Sequence, residues 1–504
     1  MLASVVSCLL RGLEGRFVEV QVDISPAGSP GFHLVGLAAA SVKEARDRVR
    51  SAIRNSMLTF PQRRLTVNLA PAEIPKEGSA LDLPIAVAIC LAEVAKRPPA
   101  SAAIIGELAL NGEVRHVNGV LVAARALRAG GFKQLFVPEA DAAEAALVPG
   151  ITVYPCPTLA ATVRHMTGAE LLAPYTSTSP PQAPPEDPPV DDLREVHGQE
   201  GAKRALEVAA AGGHHLLLSG PPGAGKTMLA RCLPGILPPL SLPEALDLAQ
   251  VRSILGELPD GGPLEWRRPF RSPHHSISTA GLVGGGHGLA RPGEISRAHM
   301  GVLFLDELAE FSPATLQALR QPLEHGSVSI TRAAGSVSYP ARFTLVGATN
   351  PCPCGWSGDP LVTCRCGPKA IDAYQHALSG PLLDRIDVRV TVARPSLAEL
   401  SAEPVGEASA AVRARVLAAH RRQLVRQGCL NSRLRPPQLR QHAQLGPGAR
   451  RALERWATER GLTARGFHRA WRVAMTLADL DAEAVPNELH VLEALGYRLQ
   501  DRAA

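Results

Sequence analysis

The sequence predicts a multidomain α/β protein: an α+β domain at the N-terminus, a P-loop NTPase core, and a helical C-terminal domain. Three observations carry that prediction. Short apolar strands alternate with helices through the middle of the chain, and one strand runs into the glycine-rich pattern GPPGAGKT. A proline-rich stretch, Pro174–Val190, has seven prolines in seventeen residues and separates this region from what precedes it. From Ser396 onward the apolar spacing is helical, with no convincing strand.

The boundaries follow in order. Residues 1–172 form the N-terminal domain and 173–192 the proline-rich linker. Residues 193–395 form the nucleotide-binding core, with a cysteine-rich insert at 352–366, and 396–504 form the helical lid. The opening MLASVVSCLLRGLEG has no basic region ahead of its apolar run, so it reads as a first strand rather than a secretory signal. Phe17–Ile24 alternates with the period of a half-buried strand, and Leu65–Leu69 is a second short strand. Val42–Ser56 carries apolar residues at helical spacing, while Leu83–Ala95 is apolar almost throughout and reads as a buried helix. In the core the strands are HLLLS, VLFLDE, FTLVGATN and DVRVTV; in the lid, Pro447–Leu480 and Pro486–Leu499 are amphipathic with a helical pattern.

Composition narrows the class. The chain has 504 residues, 45% of them hydrophobic, and no uninterrupted apolar run long enough to span a bilayer. A cytoplasmic protein is expected. Net charge is +6, from 46 Arg and 7 Lys against 47 acids, and residues 401–504 hold 17 Arg, no Lys and 10 acids. Such a surplus suits a surface for nucleic-acid phosphates, or equally a set of solvated helices in an Arg-rich protein. Nine cysteines, five of them scattered, argue against a disulfide framework.

The chemistry concentrates in the core. Gly220, Pro221, Pro222, Gly223, Ala224, Gly225, Lys226 and Thr227 form a complete phosphate loop between a strand and a helix. Its N–H groups and the helix dipole suit phosphates, Lys226 reaches the β- and γ-phosphates, and the Thr227 hydroxyl binds Mg²⁺. About 80 residues on, VLFLDE ends in Asp306, which holds magnesium through water, and Glu307, which polarises the attacking water. The next strand ends at Asn350, placed to sense the γ-phosphate, although asparagine there is also ordinary turn chemistry. Arg385, between the two acids of LLDRID, is either a local ion pair or a finger for a neighbouring subunit's nucleotide. Arg465, near the start of a C-terminal helix, could reach back to the nucleotide from the lid. Together these predict an ATP-hydrolysing motor of the AAA+ class.

Cys352, Cys354, Cys364 and Cys366 form C-P-C-(x9)-C-R-C. Four thiolates on a returning loop suit a structural tetrahedral zinc, yet the C-x-C spacing is tighter than usual. A structural zinc, a redox or iron–sulfur role, and no metal all stand as readings.

The chain resembles the ComM/YifB family, itself related to the ChlI-type motor subunit of magnesium chelatase. The resemblance rests on GPPGAGKT, RPFRSPHHSIS, GGGHGLARPGEISRAHMGVLFLDELAEF, YPARFTLVGATNPCPCGW, LLDRIDV and PKEGSALDLPIA. It implies a hexameric AAA+ ring that drives DNA branch migration in natural transformation. By motif, Arg385 matches the arginine finger and Arg465 the second sensor. Arg271–Ser278 matches an insert and Ser327–Ser338 a hairpin that line the pore in related motors. Arg271, His274, His275 and Arg332 are therefore expected DNA contacts. The N-terminal domain resembles the Lon protease domain, a ribosomal S5 domain 2-like fold, with Ser79 near the nucleophile position. Leu121 occupies the position of the catalytic Lys, so peptidase activity is not expected. A protein-remodelling motor and a magnesium-chelatase motor subunit are the alternatives. The Lon-like domain and the cysteine cluster argue against the chelatase.

Overall fold

The computed structural model describes residues 2–498 except 27–28, 37–39, 74–75, 77, 177–190, 259–263, 287, 289, 333–334, 378–379 and 402–405. Most of the expected linker thus lies outside the described residues. The chain divides into two compact units. The first contains Met1–Ala183 together with Ala245–Glu265 and Thr331–Ser338; the second contains the rest of the core and the whole C-terminal region. Two segments of the expected 193–395 core thus group with the first unit, and the helical region shares the second unit with the rest of it. Among the described residues no helix is long and apolar enough to cross a membrane.

In the first unit, seven strands form a mixed sheet in the order Gly31–Val35, Arg64–Ala70, Glu14–Ser25, Leu2–Arg11, Ala102–Ile104, Gln134–Pro138, Thr152–Cys156. The opening run is a strand, as its alternation requires, and pairs antiparallel with Glu14–Ser25. On the latter, Val18, Val20, Val22 and Ile24 are fully buried, and the period of two puts them on one face. They pack with Leu65, Val67 and Leu69 against a helix, Asp82–Glu93, buried along all but its last residue.

The second unit is built on a five-stranded parallel sheet in the order Phe270–Arg271, Val302–Leu305, Thr344–Thr349, Leu216–Ser219, Val388–Thr391. The inner strands are apolar runs because helices cover both faces of such a sheet. Val302, Leu303, Phe304 and Leu305 are all fully buried. C-terminal helices enter the same core through Val416, Leu453, Ala474, Leu477 and Val491. The amphipathic stretch Pro447–Leu480 forms two helices, Pro447–Arg460 and Ala464–Leu480, because Gly461 ends the first and the Thr463 hydroxyl caps the second.

A candidate ATPase site at the carboxyl ends of parallel strands

Three neighbouring strands deliver the predicted residues to one edge of the second sheet. Leu216–Ser219 runs into the phosphate loop, Val302–Leu305 into Asp306 and Glu307, and Thr344–Thr349 into Asn350. The edge beyond the carboxyl ends of parallel strands is where such sheets bind ligands. Gly223 (φ 75°) and Gly225 (φ 87°) take the left-handed conformation that lets the loop turn its N–H groups inward. The helix Lys226–Ile236 follows at once, adding the positive end of its dipole.

The side chains converge. Lys226 Nζ donates to the carbonyl of Gly220 (2.6 Å), that of Pro221 (2.9 Å) and Asn350 Oδ1 (3.0 Å). Burial lowers the Lys226 pKa, while Asp306 and Glu307 oppose the shift. The Thr227 hydroxyl donates to Asp306 Oδ2 at 2.8 Å, and Asp306 Oδ1 accepts the Glu307 N–H at 2.9 Å. Two hard oxygen donors in contact, beside a phosphate loop, fit a magnesium nucleotide. Glu307 has φ 49°, a costly conformation for a side-chain-bearing residue and one that clusters at functional sites. Its Oε2 lies 3.2 Å from His275 Nδ1.

That last contact changes the reading of Arg271–Ser278. The His275 and His274 rings lie against each other, tilted by 35° with centroids 4.0 Å apart, and the loop borders an open groove that includes Phe270, Pro273 and Ile277. Arg271 makes a two-pronged ion pair with Glu294 (2.7 and 2.9 Å). This fork-to-carboxylate pair engages two of the Arg271 donors and its charge, so the expected DNA contact there would compete with Glu294. His275 is committed to Glu307, whereas Arg332 is exposed at the end of the strand Ser327–Arg332.

Arg385 and Arg465 lie elsewhere. Asp387 donates its N–H to the His215 carbonyl, just before the phosphate-loop strand begins, so this region is at the opposite end of that strand from the loop. Arg385 pairs there with Glu324. Arg469 Nε lies 3.6 Å from Asp387, and Arg385 and Arg465 are both near enough to push its pKa down, although burial is the main cause. Arg465 sits one helical turn before Arg469 on Ala464–Leu480 and is exposed. Arg465 thus lies one helical turn from the residue that faces Asp387.

One neighbour of the site carried no sequence signal. Tyr374, on the helix Pro368–Ala377, hydrogen-bonds the Thr349 side chain and the Asn350 backbone, and burial raises its pKa. Only its position after the cysteine-rich insert hinted at proximity. The four cysteines, in contrast, do come together: their sulfurs all lie within 4.8 Å of one another.

The family models agree with this architecture. Residues 192–400 match the model for magnesium chelatase, subunit ChlI; residues 18–141 match subunit ChlI of Mg-chelatase, and 406–498 the ChlI C-terminal model. Similar proteins span nearly the whole chain. The uncharacterised protein Rv2897c of Mycobacterium tuberculosis is 45% identical over 506 residues, covering 98% of this chain and 97% of its own. YifB of Escherichia coli is 43% identical, covering 97% and 96%. Competence protein ComM of Haemophilus influenzae is 42% identical, covering 99% and 98%. A strand–loop–helix phosphate site, an acid pair on the adjacent strand and likeness along the full length converge on one conclusion: the chain belongs to the ComM/YifB family and is a ComM-like AAA+ ATPase.

Proposed function

We propose that the chain works as a homo-oligomeric ring motor: a hexamer that uses ATP and magnesium to move DNA through its centre and promote branch migration during natural transformation.

ATP hydrolysis would drive the ring, and DNA would be held without regard to its sequence. The observation that carries this reading is the contact between His275 and Glu307, which ties the loop Arg271–Ser278 to the hydrolytic carboxylate. A polymer that displaces this loop would change the environment of Glu307 directly. DNA is favoured as that polymer by the full-length likeness to a protein named for competence and by the exposed Arg332.

Bound magnesium would neutralise charge developing on the transferred phosphoryl group, held by Thr227 and Asp306. Lys226 would exchange its loop carbonyls for phosphate oxygens. Glu307 would accept the proton of the attacking water, and Asn350 would orient that water. Arg385 would serve the nucleotide of an adjoining subunit, and Arg465 would act from the lid as a second sensor. The N-terminal domain, with Ser79 hydrogen-bonded to Glu107 and Leu121 buried in the core, would act as a binding or assembly module rather than a peptidase.

The deciding experiment measures ATPase rate with single-stranded or branched DNA, with unfolded polypeptide, and with neither. Stimulation by DNA supports the reading. Stimulation by polypeptide alone would point to a protein remodeller, and indifference to both would favour a chelatase-type motor that needs partner subunits.

A further inference from the structure

The strand that ends at Asn350 does not simply turn back. It enters the cysteine-rich segment at once, and Cys352 is fully buried two residues after Asn350. Cys352 Sγ lies 3.5 Å from Cys354 Sγ and 3.6 Å from Cys364 Sγ, and Cys354 and Cys364 are also 3.6 Å apart. Cys366 completes the set, with all four sulfurs within 4.8 Å of one another. These distances discriminate between the possible chemistries. A disulfide needs sulfurs about 2.05 Å apart. Four thiolates about 2.3 Å from one tetrahedral ion stand roughly 3.8 Å from each other. An iron–sulfur cluster interposes several atoms between its thiolates and would spread them further. The observed spacing is that of a single ion.

The surroundings suit the thiolate charge such a site creates. The Ser357 N–H points to Cys352 Sγ at 3.3 Å and the Cys366 N–H to Cys364 Sγ at 3.4 Å. Hydrogen bonds of this outer kind orient metal ligands and tune their affinity.

The segment also packs directly on the nucleotide site. Gly355 has φ 84°, and a Cβ there would stand 2.6 Å from Pro222 Cδ in the phosphate loop and 3.8 Å from Asn350 Cγ. Only glycine permits this approach. On its far side the segment is fastened by Arg394, whose guanidinium lies 4.8 Å over the Trp356 ring and 3.9 Å from Asp359. Gln375 adds a hydrogen bond to the Pro351 carbonyl.

We propose that Cys352, Cys354, Cys364 and Cys366 bind one zinc ion, and that the filled site fixes Asn350 and the phosphate loop relative to each other. Binding replaces the four thiol protons with the metal, so the ligands become thiolates and the protons go to solvent. Asn350 and Pro222 are thereby held by a short cross-linked turn instead of a free loop. These cysteines are positioning residues, since none lies between Asn350 and Lys226. The positioning half rests on Asn350 acting in hydrolysis; the metal site stands without it.

The test begins with full-length protein purified under reducing conditions without chelator. Elemental analysis should find about one zinc per chain. Cobalt exchanged into the site should show the intense visible bands of tetrahedral tetrathiolate coordination. Cys364→Ser with Cys366→Ser should lose the metal, while Cys354→His should keep it with an altered cobalt spectrum, which guards against loss by misfolding. Protein with four free thiols in the segment and no metal would overturn the site. Metal removal should lower kcat about tenfold with nucleotide affinity retained, and zinc should restore it. Asn350→Ala is the reference. If that variant loses turnover and metal removal does not, the positioning role is wrong; if Asn350→Ala itself turns over normally, the fault lies in the role given to Asn350.

Discussion

The two compact units use their buried ionisable groups differently. The first buries carboxylates: Asp82 against Arg48, Asp141 against His116 and the Val117 N–H, and Glu144 against the Leu121 N–H. Burial raises the pKa of all three. The second buries acids too, Glu207, Asp387 and Asp479 among them, and adds histidines held neutral: His215 is lowered to about 4 and His299 to about 3, in both cases mainly by burial. In the first unit the buried acids are spent on backbone and ion-pair partners, which is what structural polar groups do. In the second, Lys226, Thr227, Asp306, Glu307 and Asn350 point at one another around a phosphate loop. The difference teaches where chemistry resides: in convergent side chains, rather than in the larger number of buried ionisable groups.

The sharpest way to break that contrast is to mutate one residue on each side. Lys226→Ala should abolish nucleotide binding, measured with a fluorescent ATP analogue, because it removes the cation for the β- and γ-phosphates. Ser79→Ala should leave ATPase turnover unchanged. A loss in the second variant would make the first unit part of the catalytic apparatus.

Next in size is Arg385→Ala, expected to retain ATP binding and lose on the order of 10³–10⁵ in turnover if it serves as a finger. Mixed with Lys226→Ala chains, it should regain some activity at mixed interfaces. Mixed rings that form and stay inactive would refute action between subunits. Glu307→Gln should bind ATP and lose about 10²–10⁴ in turnover, the contribution of a general base. Near-normal hydrolysis would show that another group takes the proton.

A third comparison uses pH. Histidines in the unfolded chain titrate near 6.5, so below that pH the unfolded state takes up protons that folded His215 and His299 refuse. Stability of the second unit should therefore fall with acidification, by about 2 kcal/mol for each histidine at pH 5. The raised carboxylates of the first unit have the reverse sign: their cost at neutral pH is relieved as pH drops through their folded pKa. All four tryptophans, at 266, 356, 456 and 471, lie in the second unit, so their fluorescence reports on it alone. Acidification from pH 7 to 5 should lower the denaturation midpoint seen by tryptophan, and hydrogen exchange should show the first unit holding. Parallel destabilisation of both would overturn the contrast.

The smallest effect concerns DNA. Arg332→Ala should reduce the salt dependence of DNA binding by roughly one unit of slope, or somewhat less on single strands. Arg271→Ala should leave that slope unchanged and lower stability instead, since it leaves Glu294 with Arg297 alone.

Local signals were enough for the phosphate loop, Asp306, Glu307 and Asn350. Each lies at or just past the end of an apolar strand, and the carboxyl ends of parallel strands meet by construction. The alternation at Val18, Val20, Val22 and Ile24 likewise fixed one face of the first sheet. What only the tertiary structure decided concerns pairs distant in sequence. Whether Arg271 is held by Glu294, whether His275 meets Glu307, and whether Arg469 meets Asp387 all depend on how elements pack. So does the grouping of Ala245–Glu265 with the first unit. A strand or a phosphate loop is specified by the residues within it, through periodicity, backbone conformation and hydrogen bonds of short range. The partner of a long, flexible, charged side chain is set by which other chain segment arrives beside it, and no local spacing encodes that.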